Sequence, residues 1–271
     1  MAQFDAISKE RYAGRSWQRY EGYAFARTRA TVPLFASEMD KATLAFPIAF
    51  LPEGAKFMPV AMLSLDNKRN LLVAPDGRWL GSYVPAALRG NPFALLEGPD
   101  GNKLLCIDQD SGLLLEDTSG EPFFDETGEI AEPMRKVLEF LSSIETHRTA
   151  TAQACAALTE AKLIVPWDVT LKTDDGEQKI TGLYKIDEAA LAALPAAAFE
   201  TLRQAGAVPM AYYQPLSMQH LPTLGGLAQS HAAQQQEAET FMKQSFRPAQ
   251  EDEISIDWSV FSDDSPEKDR E

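Results

Sequence analysis

The stretch GRWLGSYVPAALRGNPFAL, residues 77–95, gathers Trp79, Tyr83, Pro85, Arg89, Pro92 and Phe93 in a span with neither clean helical nor clean strand periodicity. Arg89 is the sole Lys or Arg between Arg78 and Lys103. A guanidinium presents its N–H donors in a planar fork that matches a carboxylate or a carbonyl pair. Trp79 and Tyr83 add flat amphipathic faces of the kind that lie against ligands. The residues allow two readings. In one, Arg89 anchors a ligand or peptide on a recognition surface over residues 70–93, with Asn70, Trp79, Tyr83 and Phe93 around it. In the other, Arg89 pairs internally with a carboxylate while Trp79 and Phe93 fill the core.

Acid–base chemistry would need carboxylates that meet across the fold, where a close pair can push its pKa values apart. Candidates near in sequence are Glu38 with Asp40, Asp108 with Asp110, Asp125 with Glu126, and Asp187 with Glu188. Asp187 reads as a helix cap and Asp110 as a turn residue. The chain carries no Gly-x-Ser-x-Gly elbow, no phosphate-cradling glycine loop and no His-Glu-x-x-His, so no recognisable catalytic motif decides whether it is an enzyme. His147, His220 and His231 are scattered, and Cys106 and Cys155 lack the spacing of a metal site or a redox pair, so they read as buried free thiols. No metal and no cofactor are expected.

Composition limits the partners. With 271 residues and 45% hydrophobic content the chain can fill a core without disulfides. Net charge is −15, of which nine acids and two bases place −7 in residues 251–271. That balance repels phosphate backbones, so no nucleic-acid partner is expected. The bases among residues 9–29 stand without the unbroken apolar core of a secretory signal. Residues 204–236 hold no Asp, Glu, Lys or Arg, yet Pro209, Pro215, Pro222 and Gly225-Gly226 break them too often for a membrane span. A cytoplasmic protein that does not span a membrane is expected, with homo-oligomerisation left open.

These residues must be positioned by elements that the pattern also suggests. A short amphipathic helix is expected to begin near Ser37, with Ser37 as its candidate cap, and to be stopped by Pro47. Residues 56–65 and 69–74 read as strands joined by a turn at Asp66–Lys68, and residues 93–98 and 103–109 as a second strand pair around the GPDGN turn, which makes an antiparallel meander. From 131 Met134, Val137, Leu138, Leu141 and Ile144 fall at helical spacing, and a separate helix is expected over about 150–162. Residues 165–173 and 178–186 flank Asp175-Gly176 as a hairpin. Asp187 and Pro195 open two helices, Gly206 ends the second, residues 207–213 read as a strand, and a helix runs from Pro222 to about Ser245.

The sum is α+β: a largely antiparallel sheet with packed helices and an acidic C-terminal tail. One domain is expected over residues 1–248, divisible into halves 1–130 and 131–248. Residues 249–271 form the tail, disordered or docked, in which Ile254, Ile256, Trp258, Val260 and Phe261 alternate within the ISIDWSVF stretch. Ile256, Trp258 and Phe261 would anchor that segment if it docks.

In order along the chain, EGYAFA, VPLFASEMDKATLAFPIAF, NLLVAPDGRWLGSYVPAALRGNPFAL, LLCID, FFDETGE, LTEAKLIVPWDV and GLYKIDEAALAALP resemble the blocks of the SapC family of bacterial proteins. The membrane-embedded peptide-transport permease of the same name is a different protein. The resemblance implies a link with surface-layer gene clusters that also encode export machinery, and it carries over no catalytic residues. A soluble accessory or binding protein of a surface-layer or protein-export pathway is therefore expected, with a protein partner or small ligand at the 70–93 surface. The alternative is an enzyme acting on a small molecule or peptide through a carboxylate pair near Arg89.

Overall fold

The computed structural model describes residues 3–65, 69–173 and 176–245. The chain opens with β1 (Phe4–Ala6), the single turn α1 (Lys9–Tyr12) and β2 (Ser16–Trp17), then passes a 3-10 turn at Ala24–Ala26 to β3 (Thr31–Pro33). A second 3-10 turn, Ala36–Glu38, runs into α2 (Met39–Thr43). The hairpin of β4 (Ile48–Glu53) and β5 (Lys56–Met62) follows, then α3 (Ala86–Arg89), the hairpin of β6 (Phe93–Glu97) and β7 (Lys103–Asp108), and the short β8 (Leu114–Leu115) and β9 (Glu121–Pro122). The second half holds α4 (Glu132–Glu160), the hairpin of β10 (Ile164–Thr173) and β11 (Gly176–Ile186), and the helices α5 (Glu188–Ala192), α6 (Ala196–Gln204), α7 (Val208–Ser217) and α8 (Leu221–Ser245).

Every strand pairing among the described residues is antiparallel, and helices pack on the sheets, so the fold is α+β as the pattern predicts. The largest sheet has the order β10-β11-β4-β5-β3, and two three-stranded sheets have the orders β1-β7-β6 and β8-β2-β9. One compact unit spans residues 1–229, and a second begins at Ser230.

Side chains of the large sheet alternate between its faces, as the two-residue strand period requires. Ile48, Phe50, Ala61 and Leu63 point into one core with Met39, Leu158, Leu191 and Met210. Ala49, Val60 and Met62 point into another with Trp167, Ile180, Leu183 and Leu224. A third core lies under β6 and β7, where Tyr12, Trp17, Phe93, Ile107 and Phe123 meet Met134, Leu141 and Ile144 of α4. The far end of α4 supplies Ala154, Cys155 and Leu158 to the first core, so one helix spans two cores.

Four expectations need correction. The helices expected on either side of residue 147 are the single helix α4, because the intervening THRTATAQ holds no Gly or Pro. Its threonines turn their hydroxyls back onto carbonyls four residues earlier: Thr146 on Ser142, Thr149 on Glu145, Thr151 on His147 and Thr159 on Cys155, at 2.6–3.3 Å. In place of a strand over 207–213, Ala207 precedes the helix α7, which is opened by Pro209 in the first turn and buries Met210, Ala211, Gln214 and Ser217 at helical spacing. Residues 69–74 form no strand beyond one bridge from Val73 to Trp79, because β3 and β4 already occupy both edges of β5. The helix near Ser37 is capped by Glu38, whose Oε1 accepts the Phe35 N–H at 3.0 Å, while Ser37 stays exposed.

Asp187 caps α5 as expected, accepting from the Ala189 and Ala190 N–H groups, and Gly206 closes α6 with φ +68°, a left-handed conformation that glycine adopts without a Cβ clash. The turn at Asp66–Lys68, Asp175 of the hairpin turn, and the tail residues Ile256, Trp258 and Phe261 lie outside the described residues.

Candidate functional site

Three separate stretches meet around Tyr83: the start of α2, the residues leading into α3, and the middle of α4. At their junction stands the carboxylate of Glu38, 4% exposed. Besides the Phe35 N–H, it accepts the Tyr83 hydroxyl at 2.7 Å and the Ala86 N–H at 2.8 Å, both on Oε2. Three donors satisfy a buried charge that would otherwise be costly to desolvate. Burial, and next the bond to Glu38, pushes the Tyr83 hydroxyl far above the ordinary phenol range, so it stays protonated and keeps its hydrogen on Glu38.

Arg89, at the end of α3, is exposed and lies over two rings, with its guanidinium carbon 5.2 Å from the centre of Phe140 and 5.9 Å from that of Tyr83. Its one hydrogen bond among the described residues is a long donation of 3.4 Å to the Tyr83 hydroxyl oxygen. Among the described residues it pairs with no carboxylate. Trp79 donates its indole N–H to the Tyr83 backbone carbonyl at 2.7 Å, which fixes the indole against that stretch of chain. Tyr23 packs on Trp79 with ring centres 5.3 Å apart, and Tyr20 meets Tyr23 at 5.5 Å. The Tyr20 hydroxyl is pushed up to about 12 by burial and then by Tyr23, while the charge of Arg89 pulls it the other way. The result is a half-buried aromatic surface carrying one guanidinium whose remaining donors are unspent.

Trp79, Tyr83 and Arg89 thus come together. Asn70 does not join them at the surface: it is 1% exposed, donates to the Ala26 carbonyl at 3.2 Å and accepts the Leu72 N–H at 2.9 Å, which holds the irregular 70–74 stretch in place. Phe93 is 6% exposed in the core under β6, with its ring edge-on to Trp17 at 4.9 Å. Sequence reasoning passed over Tyr20, Tyr23 and Phe140 as parts of this site. The aromatic run YEGYAF was a signal for the first two, whereas Phe140 carried none, being one apolar residue on a long helix.

Of the other carboxylates named from sequence, Asp108 and Asp125 serve local geometry. Asp108 accepts the N–H groups of Gln3 and Asp110, and Asp125 accepts from Thr127 and Glu129. Cys106 and Cys155 are buried and free, and burial pushes the Cys155 thiol up to about 12. Among the described residues no group of three or more His, Cys, Asp and Glu is placed to hold a metal ion, and no helix is long and apolar enough to cross a membrane. A cleft of about 290 Å³ opens elsewhere, between α5 and α7, lined by Leu191, Ala211, Tyr212 and Leu216.

A family model described as SapC matches residues 7–224. No curated protein and no solved structure matches the chain.

Proposed function

The chain belongs to the SapC family, and from that premise we propose that it is a cytoplasmic accessory protein of a bacterial surface-layer or protein-export pathway that works by binding, with the surface around Trp79, Tyr83 and Arg89 as its recognition site. The observation that carries this reading is the state of Arg89. In a chain with 40 acidic and 25 basic residues, an exposed guanidinium stacked on two rings finds no carboxylate among the described residues. Arg19 pairs with Glu121 and Arg203 with Glu200, whereas Arg89 is held by ring faces instead. A stacked but unpaired arginine at a half-exposed aromatic surface is the composition of an interaction hot spot.

The enzymatic alternative draws support from Glu38, a buried carboxylate one hydroxyl away from Arg89. Its oxygens are already engaged by three donors, which suits a fixed structural anion better than a base that must take up a proton.

The test is Arg89→Ala. Affinity capture from the native host, read by mass spectrometry, should lose its specifically retained protein, while the melting temperature stays within the range of a neutral surface change, about 0.5 kcal/mol. Retention of the same partners by the variant sinks the proposal, and so does a large loss of stability.

A further inference from the structure

We propose that Arg89, with the rings of Tyr83 and Phe140 beneath it, is a receptor for a single carboxylate carried by a partner polypeptide beside an aromatic or branched apolar side chain. This rests on the recognition reading above and adds the chemistry of what is recognised. The stacking on two rings restricts the guanidinium, so little rotamer entropy is left to lose on binding. Its one internal bond is long, and the acceptor is a hydroxyl whose own hydrogen is held by Glu38. Tyr83 therefore orients the cation without neutralising it. The fork remains free to take both oxygens of a carboxylate.

The surroundings select against other anions. Glu38 and Asp40, both acidic, act on Tyr83 alongside Arg89, and the chain as a whole carries −15. A phosphate dianion or a polyanion meets one cation and a repelling field, whereas a monoanionic carboxylate can be matched by Arg89 alone. The fork lies over the rings of Tyr83 and Phe140, both only partly covered, and the partly covered rings of Tyr20, Tyr23 and Trp79 continue the aromatic cluster beyond Tyr83. Such faces favour an apolar side chain next to the acid, which would exclude water from the ion pair and strengthen it.

A direct test titrates the full chain into a fluorescein-labelled, C-terminally amidated peptide Ala-Phe-Asp-Phe-Ala and into the same peptide with Asn for Asp, followed by fluorescence anisotropy. The Asp peptide should bind saturably and at least about tenfold more tightly than the Asn peptide. Arg89→Gln should remove that preference, and Arg89→Lys, which keeps the charge but loses the planar fork, should weaken binding by about tenfold. No saturable binding, equal binding of the two peptides, or an undiminished preference in Arg89→Gln overturns the inference. Displacement by inorganic phosphate at lower concentration than by acetate overturns it too. If captured host partners depend on Arg89 while the Asp peptide does not bind, the carboxylate assignment fails and the recognition reading stands. If Arg89→Ala keeps those partners, the recognition reading itself fails.

Discussion

Glu38 concentrates the energetics of the site in one side chain. It caps the turn into α2 through the Phe35 N–H, receives the first N–H of α3 at Ala86, and holds the hydroxyl of Tyr83, so two segments distant in sequence, residues 35–38 and 83–86, share one carboxylate. Truncation to alanine would leave two buried backbone N–H groups and a half-buried phenol without their acceptor. At about 1–3 kcal/mol for each stranded donor, Glu38→Ala should lower unfolding stability by at least about 3 kcal/mol in urea denaturation. A loss below about 1 kcal/mol would mean that water replaces the carboxylate and that the junction is looser than described. Because Tyr83 is the shelf under Arg89, the same variant should weaken whatever Arg89 binds, whereas Arg89 variants should not unfold the junction.

Among the elements, α7 is tied to two strands of the large sheet by side-chain hydrogen bonds. Gln214 is fully buried, donates its side-chain amide to the Ile48 carbonyl of β4 at 3.0 Å, and accepts the Ile186 N–H of β11 at 2.8 Å. Ser217, one turn on, accepts the Ile48 N–H at 2.9 Å and donates to the Gln214 carbonyl. A helix thus supplies hydrogen bonds that a neighbouring strand would normally provide. Gln214→Leu keeps the volume but strands two buried backbone groups, and should cost roughly 2–4 kcal/mol in the same assay; a cost near zero would show that the two strands close the gap without help. This element is also where sequence reasoning failed. Residues 207–213 carry Val, Met and two tyrosines, which read as strand, and only the apolar contacts of Met210 and Ala211 decide for helix. The α+β class, the hairpin of β6 and β7, and the α5 cap were legible because alternation, Asp-Gly turns and capping residues act locally. The separation of Asn70 and Phe93 from Arg89, and the arrival of Phe140 beneath it, were not legible, because they depend on which core each side chain enters.

Across the whole molecule, the SapC match at residues 7–224 lies within the compact unit of residues 1–229, so the family's blocks and this unit's cores are the same material. The large sheet inside that unit is unevenly joined. Nine residue pairs tie β10 to β11 and six tie β4 to β5, but a single pair, Tyr184 with Phe50, joins β11 to β4, with Gln214 bridging beside it. The sheet therefore has a seam, glued by Trp167, Ile180 and Leu183 packing on Ala49, Val60 and Met62 more than by backbone hydrogen bonds. Native-state amide exchange should reveal it: amides of Val165, Trp167 and Ile180–Ile186 should share a sub-global opening free energy below that of Ala49–Leu51 and Val60–Met62. One common value for both groups would mean that the sheet opens only as a unit. The molecule can then part along the seam while each side keeps its own ladder, and the long hairpin becomes a flap hinged where Tyr184, Phe50 and Gln214 meet.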